Sequence, residues 1–208
     1  MAVAQRQRRQ LRLLQPAQRG LALERERPLA VPTFVVLLRG INLGSHNKVP
    51  MPALRTLVEG LGYEEVTTYI QSGNLILSTK DTAAKVSSAV HDAIAGEFGF
   101  DVPAVVRTRQ QLQKVLDGNP FLEKAKEPNA LHVVFLTAKP TVDKVKKLMS
   151  ADWGDEEVAV KGTEAYLHLP NGYGRAKLNN MVVERQLGVA GTTRNWRTTA
   201  KLLELAAR

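Results

Sequence analysis

The chain of 208 residues contains no cysteine. That excludes a disulfide framework, a thiolate nucleophile, cysteine-bound zinc and an iron–sulfur cluster. Aromatic residues make up only 5%, and the apolar segments lack the ring-bearing pattern of an RNA-recognition motif. No apolar run approaches the roughly 20 residues that span a bilayer. Histidine is scarce as well: His46, His91, His132 and His168 stand too far apart to form a local metal motif.

Positive charge is plentiful, with a formal net charge of +9, and it is unevenly placed. Residues 1–30 hold seven arginines against Glu24 and Glu26, which leaves 22 bases against 18 acids for the rest of the chain. The remainder is therefore only mildly basic, and bulk charge alone argues weakly for nucleic acid. The leader lacks the apolar stretch of a secretory signal and, containing no serine, matches a mitochondrial presequence only in part. It reads as a disordered basic segment, 1–30, outside the fold. A targeting segment, a nucleic-acid-binding arm and upstream codons read from an early start are the alternatives.

From Thr33 onward the chain alternates strand and helix signals. Thr33–Arg39 reads as a buried strand, and Met51–Leu61 as a helix begun by Pro50 and Pro52. Val66–Gln71 and Leu75–Thr79 read as a hairpin around Ser72, Gly73 and Asn74. A helix capped by Asp81 or Thr82 carries Ala83, Val86, Val90, Ile94 and Phe98 on one stripe. Val102–Arg107 is a strand, with a helix trailing over Arg109–Leu116. After the polar linker the order returns: strand Leu131–Thr137, helix Thr141–Met149, hairpin Glu157–Lys161 and Ala165–Leu169, helix Leu178–Leu187, strand Thr192–Trp196 and helix Thr198–Ala207. A repeated β-α-β-β-α-β unit predicts an α+β fold of two ferredoxin-like lobes in tandem, residues 31–117 and 131–208 joined by a linker 118–130. Each mainly antiparallel sheet is expected to carry helices on one face.

This topology sets the loop after the first strand on the same edge as the first hairpin. In the second lobe the rich loops, Asn171–Lys177 and Arg194–Trp196, fall together at the opposite edge. If the lobes pack head to tail, all four loops line one cleft. The candidate ligand-binding residues are Arg39, Asn42, Asn47, Lys48, Gln71, Ser72, Asn74, Asn171, Arg175, Lys177, Arg194 and Asn195. Arginine and lysine would pair with charge, while the amides and Ser72 would orient the ligand. Such groups near helix N-termini suit a phosphate, although neither loop has the Walker or dinucleotide glycine spacing. The plainer reading is that Gly40, Gly44, Gly73 and Asn74 serve tight turns. His132 and His168 read as packed or hydrogen-bonded, Trp153 and Trp196 as core or interface, and the acidic turn at Asp152, Asp155, Glu156 and Glu157 as a solvated loop. No catalytic set and no metal set is assigned.

The segments LLRGINLGSHNKVPM, YIQSGNLILST, NGYGRAKLNN and TTRNWRTTAKLLEL, in that order from Thr33 to Leu205, resemble the bacterial family catalogued as domain of unknown function 1697. The resemblance implies a two-lobed α+β fold in a small cytosolic protein whose members begin near Thr33, and it implies no activity, substrate or cofactor. The expectation is a cytoplasmic protein that binds a phosphate-bearing ligand, a nucleotide or short nucleic acid, between its lobes. An enzyme acting on a phosphorylated small molecule, with Lys48 or His46 in proton transfer, is the first alternative. A protein-interaction scaffold is the second.

Overall fold

The computed structural model describes residues 31–44 and 46–207; the leader assigned to residues 1–30 lies outside the described residues. From Pro32 onward the described residues form one compact unit. Its elements run β1 Thr33–Leu38, α1 Met51–Glu59, β2 Glu64–Tyr69, β3 Asn74–Ser78, α2 Ala83–Phe98, β4 Ala104–Thr108 and α3 Arg109–Asp117. They continue with β5 Leu131–Leu136, α4 Val142–Ser150, β6 Glu157–Lys161, β7 Glu164–His168, α5 Asn180–Leu187, β8 Gly191–Asn195 and α6 Trp196–Leu205. Two four-stranded sheets result, ordered β2-β3-β1-β4 and β6-β7-β5-β8, and every neighbouring pair is antiparallel. Among the described residues no helix is long and apolar enough to cross a membrane.

The apolar runs of β1 and β5 are buried on both sides, and strand alternation divides them between separate cores. Phe34, Val36 and Leu38 face α1 and α2, with Leu54, Val58, Val86, Val90 and Ile94. Val134 and Leu136 face the second helical layer through Leu148, Val183 and Leu187. The opposite faces of the two sheets share a third core. Val35, Leu37, Ile76 and Val105 from one meet Leu131, Val133, Phe135 and Tyr166 from the other, joined by Leu112 of α3 and Leu202 of α6. The expectation of helices on one face only is thus incomplete, because each sheet's other face is closed by its counterpart and the two trailing helices. The linker takes part as well, since Phe121 is buried in this central core.

Side-chain caps explain four of the helix starts, those of α2, α3, α5 and α6. Thr82 accepts from the backbone N–H of Lys85, Thr108 and Gln111 form a reciprocal capping box, and Asn179 and Asn195 accept from Val182 and Thr198. Asn195 therefore starts α6 at Trp196, two residues before the sequence-based boundary, and Asn179 starts α5 at Asn180 rather than Leu178. β2 begins earlier than expected, at Glu64, because a bulge between Glu64 and Thr67 breaks the alternation that marks a strand.

Candidate functional site

Two arginines, one from each half, occupy matching places. Arg107 in β4 pairs in register with Val35, the third residue of β1, and Arg194 in β8 pairs with Val133, the third residue of β5. Both point into the space between the sheets. Arg107 donates to the carbonyls of Leu136 (2.9 Å) and Thr163 (3.4 Å) and pairs with Glu164 at 2.8 Å. Arg194 donates to the carbonyls of Leu38 (2.9 Å) and Gly73 (3.1 Å) and to the side chain of Asn74. The acceptors correspond as well: the end of the central strand, the hairpin, and the residue that opens the next strand. The two halves are thus joined by reciprocal arginine staples about a pseudo-two-fold relation.

This places several of the sequence candidates inside the framework. Arg194 is 6% exposed. All its N–H groups have acceptors, with Nη1 on Thr192 Oγ1 and the Thr193 carbonyl, and Nη2 also on Ser72 O. Burial lowers its pKa to about 10. Asn74 is fully buried and donates to Tyr69 O and Ser72 Oγ. Asn42 bridges Val49 and the carbonyl of Gln71, Asn47 donates to Gly40 O, and Asn195 caps α6. Arg39 reaches α5 in a bidentate pair with Glu184, at 2.6 and 2.8 Å. Burial raises the Glu184 carboxyl, and the Arg39 guanidinium and the Gly191 N–H outweigh it, holding it below its ordinary value.

The remaining candidates, Lys48, Gln71, Asn171, Arg175 and Lys177, are exposed. The loop after β1 does meet the first hairpin, as the topology implied, and Arg194 reaches that hairpin and the end of β1. The fourth loop lies elsewhere. Tyr173 accepts from Asn180 N–H, donates to Thr193 Oγ1 and stacks on His132 at 4.9 Å. Thr193 and Arg194 are consecutive in β8 and project to opposite faces, which sets the 171–177 loop across the sheet from the staple. The single four-loop cleft does not form. Of the four cavities described, only one of about 390 Å3 is lined by any of the twelve, through Arg39.

A better-furnished cavity, about 250 Å3, lies where β4 and α3 meet the β6–β7 hairpin. Lys114 and Gln111 of α3, Lys161 at the end of β6 and Tyr166 of β7 line it, and the Arg107–Glu164 pair forms part of its wall. Tyr166 is 3% exposed, and its hydroxyl, beside Gly118, makes no hydrogen bond to the described residues. Burial pushes its pKa up to about 12, so it remains a neutral donor. Lys161 donates to Gly118 O at 2.7 Å and keeps two further N–H groups. Gln111 uses its carbonyl oxygen in the capping box and keeps its amide NH2. Lys114 has no acidic partner among the described residues. Two cations, an amide and a phenol thus keep free N–H or O–H groups around one small volume, a donor set that suits a compact anion.

Sequence reasoning missed these residues, and the repeat held the signal. VVRT before α3 and TTRN before α6 both read arginine, then helix cap. Aligning the halves on that pattern marks Arg107 as the partner of Arg194, and with it the hairpin that carries Lys161 and Tyr166. Elsewhere, Glu157 takes up both Lys124 and His168, and Glu156 accepts the N–H groups of Lys177 and Leu178. Among the described residues no group of three or more histidines and carboxylates is placed to hold a metal.

A family described as "Protein of unknown function (DUF1697)" matches residues 31–166. The chain is also similar to a solved structure, "conserved bacterial protein SP0830 from Streptococcus pneumoniae", at 23% identity and a TM-score of 0.69, over 85% of this chain and 99% of that one. This likeness bears on the fold alone. No curated protein matches the chain.

Proposed function

The chain belongs to the DUF1697 family of proteins of unknown function, and from that premise we propose that it binds a phosphate-bearing ligand in the cavity lined by Lys114, Lys161, Gln111 and Tyr166. The observation that carries this reading is the Tyr166 hydroxyl, which lines the cavity beside two lysines with no hydrogen-bond partner among the described residues. A phosphate oxygen would accept from the phenol and the Gln111 amide while both lysines balance its charge. At about 250 Å3 the cavity suits the phosphate and a small body, or the terminal phosphate of a nucleotide, better than a whole dinucleotide. We also read each four-stranded unit as a ferredoxin-like lobe, 31–117 and 131–208, because β2-β3-β1-β4 and β6-β7-β5-β8 follow the strand order of that arrangement.

The test is a thermal-shift screen of the full chain against inorganic phosphate, sugar phosphates, nucleoside monophosphates and short oligonucleotides. A binder at 100 times its Kd adds about 2.7 kcal/mol, a shift of several degrees. The expected hit is lost in Lys114→Ala and Lys161→Ala, weakened in Tyr166→Phe and retained in Arg175→Ala. Two phosphate-facing cations give a shallow dependence of affinity on salt, whereas a nucleic-acid track gives a steep one. A second reading, a protein-docking module, draws on Leu43 (65% exposed) and Ile70 (49% exposed), whose loops the Asn42–Gln71 bond holds together. Failure of every phosphate compound to shift the transition, with loss of a protein partner on Leu43→Ser, would replace the first reading by this one.

A further inference from the structure

The largest of the described cavities, about 490 Å3, has the opposite electrostatic character. It is bounded by the end of α1, the β2 bulge and the C-terminal turn of α6, and is lined by Arg55, Glu59, Tyr63, Glu65, Ile76 and Leu205 among others. Its one arginine is already engaged, Arg55 Nε lying 2.8 Å from Glu59 Oε1. Glu65 is held in the left-handed region at φ +53, a conformation that costs an L-residue roughly 1 kcal/mol. The Ser78 hydroxyl donates to its Oε2 at 2.8 Å, and Oε1 has no partner among the described residues. Tyr63 is only 7% exposed, and its hydroxyl also hydrogen-bonds to none of them. The C-terminal end of α6 adds partial negative charge, and Ile76 and Leu205 supply apolar surface.

We propose that this cavity binds a small organic cation, an ammonium or guanidinium group on a short aliphatic body, with Glu65 as its ion-pair partner. The cation would sit between the free Glu65 Oε1 and the Tyr63 hydroxyl, with the aliphatic portion against Ile76 and Leu205. A cavity with an unneutralised carboxylate and a phenol that has no hydrogen-bond partner among the described residues favours a cation. The site shares no residue with the phosphate cavity, so the two readings stand or fall separately.

The test is an NMR titration of the full chain with n-butylammonium and n-butylguanidinium, using n-butanol as the neutral comparison. The expected result is saturable movement of the Glu65, Thr67 and Tyr63 resonances by the cations and none by the alcohol. Affinity should fall at least tenfold in Glu65→Gln and be unchanged in Lys114→Ala. Glu65→Asn provides a second variant suited to the left-handed conformation, should Glu65→Gln fail to fold, and it is expected to lose binding equally. A blocked lysine amide that competes with butylammonium would extend the site to a peptide side chain. No saturable shift with either cation, equal shifts with the alcohol, or undiminished binding in a folded Glu65 variant would overturn the proposal.

Discussion

Arg194 enters the interior with every N–H engaged and no carboxylate beside it, so its charge is balanced by carbonyl and amide dipoles. Removing it strands several buried acceptors at once. Arg194→Ala is expected to cost about 3 kcal/mol, measured by urea denaturation, and Arg194→Lys to recover little, because a single ammonium lacks the fork geometry. Arg175→Ala, at an exposed site, should stay within about 0.5 kcal/mol of the parent. His132 carries a pH dependence of its own. It is buried against Tyr173 with Nδ1 unpartnered, and burial lowers its pKa from 6.5 to about 4. Between those values the unfolded chain binds a proton that the folded one refuses, so stability falls as pH drops from about 6.5 to 4, by about 3 kcal/mol in all. Denaturation at a series of pH values should show this slope, and His132→Phe should flatten it.

The turn between β2 and β3 contains a local conflict. Ile70 is β-branched, exposed and held at φ +49, where such a side chain is strongly disfavoured. The partners around it leave little choice. Asn74 grips Tyr69 O, and Gly73 must come within van der Waals distance of Leu38, where a Cβ would stand 2.7 Å from the Leu38 Cβ. Ile70→Gly is expected to raise stability by about 1 kcal/mol, read from the denaturation midpoint, whereas Gly73→Ala should lower it. The elements themselves were legible in the sequence wherever period, cap and breaker agreed. Thr82 and Gly99 bracket α2, and the repeat of strand, helix and hairpin gave both sheets. The boundaries that moved did so for local reasons: Asn195 works as a cap although it sits in a strand-like run, and the Glu65 bulge hides the start of β2. The role of the polar loops was the least legible feature. Asn42, Asn47 and Asn74 turn inward to backbone carbonyls, and linear sequence does not distinguish an amide that answers its own chain from one that meets a ligand.

At the scale of the whole molecule, the central core shared by both sheets argues for a single cooperative unit. Phe135 is fully buried in that core with Val35, Leu37 and Val133, so Phe135→Ala should cost about 3–5 kcal/mol. Hydrogen exchange should show protection falling together in β1 and β5, not in the second sheet alone. The reciprocal staples of Arg107 and Arg194 hold the two sheets in this register, and the Arg107 staple also forms part of the wall of the small cavity. Its donor set is the centre of the functional reading, and a 15N-resolved NMR titration of the full chain with inorganic phosphate locates binding directly. Saturable shifts are expected at Gln111, Lys114, Gly118 and Lys161, abolished in the Lys114→Ala, Lys161→Ala double variant. Shifts confined to Asn171–Lys177 or to the loop after β1, or no saturable shift anywhere, would contradict it.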